Sequence, residues 1–221
     1  DYTQTHDAII IDIENGPELS FLRSAREDFK NVIVFGGVGY KLNGSADEYA
    51  ALCDLQVYQG ELFDAPPGKK CLNGPDFLIV DLRYAACQPN PDGPIVVSMG
   101  GSDPHDLTPR VSEALAHIER DVILVFGPAA FEREGSDIVY RSPVLHTHRI
   151  RSVHAPDSLL PYLDGASLCI TATGMTAYES FCAGVPAVLT SWSQDHVRTA
   201  EELDCRKIAI DIGLWSQFDS Q

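Results

Sequence analysis

Three loops in the second half of the sequence carry the residue types that hold an anionic ligand. Gly100-Gly101-Ser102-Asp103-Pro104 follows the apolar run Ile95–Met99. Thr173-Gly174-Met175-Thr176 follows Ser167–Ala172, and Ser191-Trp192-Ser193-Gln194-Asp195-His196 follows Pro186–Thr190. Glycine lets backbone N–H groups approach a ligand. A helix that opens straight after such a turn adds unpaired N–H groups and the positive end of its dipole, each contribution being roughly 0.3–1 kcal/mol. The candidate binding residues are Gly101, Ser102, Asp103, Thr173, Gly174, Met175, Thr176, Glu179, Asp195 and His196. Glycine after a strand is also ordinary turn punctuation. Thr176-x-x-Glu179 has the spacing of a capping box, so spacing leaves Glu179 open between helix cap and ligand contact.

Other patterns point away from chemistry. His146-Thr147-His148 has no nearby third ligand and reads as a surface loop rather than a metal site. Gly36-Gly37-Val38-Gly39 lacks the third glycine of a dinucleotide fingerprint, and no clean helix pattern follows it. No Gly-x-Ser-x-Gly elbow and no Gly-Lys-Ser/Thr phosphate loop occurs. Asp7, Asp12 and Glu14 surround a strand end, but paired carboxylates need a proximity that sequence does not supply. Cys53, Cys71, Cys87, Cys169, Cys182 and Cys205 form no Cys-x-x-Cys pair and read as reduced thiols in a cytoplasmic core.

Charge narrows the ligand class. Sixteen Lys and Arg against 32 Asp and Glu give a net charge of −16, without a basic tail or patch. Such a chain does not neutralise a phosphate backbone, so nucleic acid is excluded as a partner. A small anion requires local backbone donors instead. No apolar run approaches the roughly 18 residues needed to span a bilayer, so no transmembrane segment is expected.

The elements that position these loops alternate. Strands are expected at 8–13, 32–35, 55–58 and 77–80, with a helix over Pro17–Phe29 that buries Leu19, Leu22, Ala25 and Phe29. The first run, Ala8–Ile13, is apolar enough to be covered on both faces. Residues 60–74 read as turns. Cys87–Pro94, with three prolines and a glycine, reads as a linker. Beyond it, strands are expected at 95–99, 122–126, 138–140, 149–153, 167–172, 186–190 and 207–210. Helices are expected from Thr108 (as N-cap) to Arg120, over 157–163 and 176–183, and from about His196. Strand–helix alternation implies α/β architecture with parallel sheets. The expected division is a first domain at 1–88, a linker at 89–94 and a second domain at 95–221.

Val153–Glu179, the Gly100-Gly101-Ser102-Asp103-Pro104 loop and Leu72-Asn73-Gly74-Pro75-Asp76…Leu82-Arg83 together resemble a known family, the nucleotide-sugar proteins of the GT-B type. The nearest group contains the pseudaminic-acid pathway UDP-sugar hydrolase and the spore-coat polysaccharide protein SpsG, with MurG-type glycosyltransferases more distant. The resemblance covers roughly residues 7–212 and is specific from 95 to 200. It implies two Rossmann-like domains with a UDP-sugar, or UDP, held mostly by the second. It implies no cofactor and requires no metal. Ser102 and the Gly174–Thr176 turn would face the diphosphate, and Glu179 the ribose hydroxyls. Asp195 and His196 stand where the family has an amide pair that reads the sugar, so His196 would be a sugar contact or an acid/base group. Gly36-Gly37 stand where Asp-Asp is typical, which counts against hydrolysis. The family's first strand, glycine-rich loop and histidine have no counterpart before Asp7, and its last helices have none after Asp211. The first domain is therefore expected to be incomplete, with two explanations: a partial record of a longer protein, which is favoured, or a shortened and inactive relative. Two functions follow as expectations: a UDP-sugar transferase or hydrolase of cell-surface polysaccharide or nonulosonic-acid synthesis, or a nucleotide-sugar-binding subunit that needs a partner chain.

Overall fold

A computed structural model describes residues 7–13, 17–36, 46–59, 71–74 and 77–217, without the side chains of residues 36, 46, 58, 59, 73 and 195. His6, Glu14 and Gly37-Val38-Gly39 lie outside the described residues. The chain forms two compact units, Asp1–Ile79 and Val80–Gln221.

In the first unit, β1 (Ala8–Asp12), β2 (Asn31–Gly36), β3 (Leu55–Gln59) and β4 (Cys71–Gly74) lie side by side in that order, all parallel. Helix α1 (Leu19–Asp28) buries Leu22 and Ala25, with Leu19 and Phe29 packed beside them, as the stripe requires. Helix α2 (Ala46–Leu52) adds the fully buried Tyr49. Three expectations fail here. Cys71–Gly74, read as turn, is a strand, whereas Phe77–Val80 forms no strand and leaves Ile79 60% exposed. β1 is an edge strand covered on one face only, with Ile11 buried and Ile10 66% exposed.

The second unit is a six-stranded parallel sheet. Its strands are β5 (Ile95–Ser98), β6 (Val122–Phe126), β9 (Ile150–His154), β10 (Leu168–Ala172), β11 (Ala187–Ser191) and β12 (Ile210–Leu214), in the spatial order β12-β11-β10-β5-β6-β9. The order reverses between β5 and β10, which makes that pair the switch point where the loops diverge and open a crevice. Both faces are covered: Ile95, Val97, Val122 and Leu124 enter one core, and Val96, Ile123, Val125 and Cys169 the other. Helices α3 (Leu107–Ala114), α4 (Leu160–Leu163), α5 (Met175–Cys182) and α6 (Gln194–Cys205) complete the crossovers. β7 (Phe131–Glu134) and β8 (Asp137–Tyr140) form a separate antiparallel hairpin, so the run at 138–140 does not join the main sheet.

Local chemistry explains the shifts from expectation. The proline-rich segment belongs to the second unit and does not link the two. Tyr84 and Cys87 are buried in its core, Gln88 N–H donates to Asp164 Oδ1 at 2.9 Å, and Asn90 N–H to the Ala166 carbonyl at 3.1 Å. Thr108 does not cap α3. Asp106, in the left-handed region at φ 51°, holds the N-cap position, and the Asp103 carboxylate accepts from Leu107 and Thr108 N–H, each at 2.8 Å. The last strand begins at Ile210, because Lys207 turns left-handed (φ 58°) where α6 ends and Ile208 N–H closes back on Leu203 O.

Candidate functional site

A cavity of about 340 Å³ opens at the carboxyl ends of β5, β6 and β9, beside the N-terminus of α5. Every residue lining it belongs to the second unit. Four pieces of backbone build it. The loop after β5 contributes Gly100 and Gly101, with Gly100 at φ 82°, a conformation that side chains resist. The loop after β6 contributes Gly127 and Pro128. The loop after β9 contributes Ala155–Leu159 and starts from Ala155 at φ 43°, whose N–H is tied to the Phe126 carbonyl at 2.8 Å. A 3-10 turn, Leu82–Ala86, contributes Tyr84 and is preceded by Asp81, whose carboxylate accepts the Arg83 N–H at 2.9 Å.

Gly127 sets how closely the first two loops meet. A methyl group there would lie 2.4 Å from both Gly100 O and Gly101 Cα and 2.5 Å from Gly101 O. Ala129 N–H donates to the Gly101 carbonyl at 2.9 Å, locking the contact. From outside, Arg141 Nη2 donates to the carbonyls of Ser102 (2.7 Å) and Asp103, and its Nε to Asp106 Oδ1 at 2.9 Å. The glycine loop is thus shaped before any ligand arrives.

On the other side, α5 starts from Gly174, and no side chain caps it. The Ala177 N–H donates to the Gly174 carbonyl at 3.1 Å, and the two N–H groups before it, of Met175 and Thr176, have no partner within the helix. Thr176 lines the cavity from the first turn and Glu179 from the next. The capping-box reading of Thr176 and Glu179 therefore fails, because Thr176 lies inside the helix and not at its cap. Glu179 instead accepts from the Tyr84 hydroxyl through Oε1 at 3.2 Å. Burial holds the Glu179 carboxyl above the ordinary range; the Tyr84 bond works against that rise, and the Asp81 charge adds to it. Arg83 is the one Lys or Arg among the lining residues; its ion pair with Asp81 holds that carboxyl below its usual value.

Of the ten candidates from sequence, Gly101, Thr176 and Glu179 meet around the cavity, with Gly174 and Met175 supplying the helix start between them. Asp103 is 2% exposed, spends both oxygens on α3 and does not line the cavity, so it shapes the glycine loop. Ser102 is exposed outside the lining, with its carbonyl held by Arg141. Thr173 is buried and ties β10 to β11, its Oγ1 3.2 Å from Ser191 Oγ. His196 is also buried, its Nδ1 2.6 Å from Ser193 Oγ and its ring 4.6 Å from that of Trp192, and it does not line the cavity. Asp195 falls within α6, and its side chain lies outside the described residues. Sequence reasoning missed Tyr84 and Gly127, and it named the Ala155–Leu159 loop only as part of the Val153–Glu179 resemblance, with no site role. The only signal near Tyr84 was the Leu82-Arg83 stretch beside it.

His146 and His148 gather no metal set: His146 Nε2 lies 2.6 Å from Ser152 Oγ, and no group of three His, Cys, Asp or Glu occurs among the described residues. The six thiols are unpaired, and burial pushes that of Cys169 up to about 12. No helix among the described residues is long and apolar enough to cross a membrane.

No family model matches the chain. Among curated proteins it is 28% identical over 199 residues to the uncharacterized protein MJ1062 of Methanocaldococcus jannaschii, covering 83% of this chain and 40% of that protein. It is 22% identical over 220 residues to the spore coat polysaccharide biosynthesis protein SpsG of Bacillus subtilis, covering 94% of this chain and 62% of that one. The chain thus spans between two fifths and two thirds of these relatives' length. Among solved structures it matches the kitacinnamycin glycotransferase with a TM-score of 0.58 at 15% identity, covering 96% of this chain and 64% of the other. It matches Acinetobacter baumannii MurG with a TM-score of 0.52 at 14% identity, covering 85% and 55%. Parallel sheets, the switch-point cavity and these solved structures agree on the fold, which is α/β with Rossmann-like parallel sheets, of the GT-B type.

Proposed function

We propose that this chain binds a nucleotide sugar, with UDP as its carrier, for glycosyl transfer in the synthesis of a cell-surface polysaccharide. The observation that carries the reading is Glu179: a half-buried carboxylate on the cavity wall, one helical turn beyond the uncapped start of α5 and across from the Gly100-Gly101 loop. An ionised carboxylate can only accept hydrogen bonds, so it suits a ligand that offers hydroxyls, such as a ribose diol. The unpaired N–H groups of α5 and the open glycine backbone suit the diphosphate. This division answers the charge problem of an acidic protein binding an anion, since the donors are backbone. In transfer, negative charge grows on the departing UDP, and fixed N–H dipoles at a helix start stabilise it without reorganising. The names of SpsG, a polysaccharide biosynthesis protein, and of the two transferase structures support the choice of reaction class.

A thermal-shift titration with UDP, GDP and ADP tests the reading. Ligand at 100 times its dissociation constant adds about 2.7 kcal/mol. At roughly 2–4 °C per kcal/mol for this chain length, UDP is expected to raise the midpoint by about 5–10 °C, and GDP and ADP by less. A folded protein whose midpoint moves with none of the three would refute it.

A further inference from the structure

Tyr84 is the least expected member of the cavity wall. It comes from the short 3-10 turn ahead of the sheet, yet it is only 3% exposed and sits in the core with Val96, Leu163 and Cys169. Its hydroxyl lies at a junction. It donates to Glu179 Oε1 at 3.2 Å and lies 3.4 Å from Ser158 Oγ, which in turn accepts the Leu160 N–H at 3.1 Å. Ser158 and Glu179 both line the cavity, one from the loop after β9 and the other from α5. One buried phenol therefore bridges two separate walls.

A glutamate on a helix has three rotatable bonds, and ordering such a side chain for a ligand costs binding affinity. A hydrogen bond from a buried, immobile donor removes that cost before binding. It occupies Oε1 and leaves Oε2 to accept from the ligand. It also favours the ionised carboxyl against the burial that opposes ionisation. The other charged group that acts on Glu179 is Asp81, which raises its affinity for a proton; Glu179 in turn pushes up the buried thiol of Cys169.

We infer that Tyr84 is a positioning residue, which fixes Glu179 in the rotamer and charge state that select a ribonucleotide over its 2′-deoxy analogue. This rests on the nucleotide reading above. The test is a pair of calorimetric titrations, with UDP and with 2′-deoxy-UDP, over a range of acidic to neutral pH, on wild type and two variants. Tyr84→Phe keeps the buried ring and removes the hydroxyl. Replacing Tyr84 with 3-fluorotyrosine keeps the hydroxyl and makes it a stronger donor.

Tyr84→Phe is expected to weaken UDP roughly fivefold, to shrink the preference over 2′-deoxy-UDP, and to move the acid limb of UDP affinity to higher pH. The fluorinated variant is expected to move that limb to lower pH. Shifts of opposite sign do not arise from a phenol that only fills space. If wild type prefers UDP but Tyr84→Phe keeps the same preference and the same limb, the inference falls and the nucleotide reading stands. If Tyr84→Phe does not fold, an unshifted limb in the fluorinated protein overturns the inference equally. If wild type binds neither nucleotide, both fall together.

Discussion

Gly127→Ala is expected to abolish measurable UDP binding while leaving a folded protein that is about 1–3 kcal/mol less stable, the usual range for overpacking. The added carbon would sit 2.4 Å from backbone atoms of Gly100 and Gly101, which have no flexible end to swing aside. The glycine loop must move as a whole, against the hydrogen bond from Ala129 and the clamp of Arg141. Gly127 does not lie at positive φ, so alanine meets no backbone strain of its own and the effect is crowding alone. Gly174→Ala is the control for stability alone, since a methyl group there meets no protein atom within 4 Å in extended backbone. Denaturant unfolding combined with UDP calorimetry separates the two effects. Full affinity in Gly127→Ala would mean that the loop after β5 does not shape the ligand site.

Glu179→Ala is expected to weaken UDP by about 10–100-fold, the loss of a hydrogen bond to a charged acceptor in a partly buried setting. Glu179→Gln should also weaken binding, but its effect on the empty protein runs the other way. Burial raises this carboxyl's folded pKa above its ordinary 4.5, so the folded state binds the proton more tightly than the unfolded chain. The stability that Glu179 contributes is full below the unfolded value and is lost as pH rises through the folded one. At neutral pH the ionised group is therefore a cost that the amide avoids. Glu179→Gln should melt at least as high as wild type near neutrality and lose that advantage in acid. Wild-type UDP affinity, in contrast, should fall as pH drops through a value above the usual carboxylate range, and Glu179→Gln should flatten that limb. Calorimetry across pH checks the binding half, and thermal melts check the stability half.

The junction of β10 and α5 was legible because several local signals agree there. Leu168–Ala172 is an apolar run, Thr173-Gly174 breaks it, and a helical pattern follows. The buried parallel strands around it were legible for the same reason, since a strand covered on both faces reads as a continuous apolar run. The failures fall where tertiary contact outweighs local preference. Phe77–Val80 has strand composition but forms no strand, whereas Cys71–Gly74 joins β3. Asp103 looked like a ligand contact because it sits in a glycine loop, and only the fold reveals that α3 begins within reach of its carboxylate. The spacing Thr176-x-x-Glu179 fits a cap, yet the helix starts one residue before Thr176. Tyr84 was not legible at all: its role depends on a hydroxyl meeting a carboxylate 95 residues away in the chain.

The most direct test of the central claim is to map where UDP touches the protein, by following backbone amide resonances of the full chain during a titration. The account expects the largest shifts at Gly100, Gly101, Gly127 and the start of α5 at Met175–Thr176, with the first unit's α1 unmoved. Saturable shifts confined to other residues, or none at all in folded protein, would contradict it.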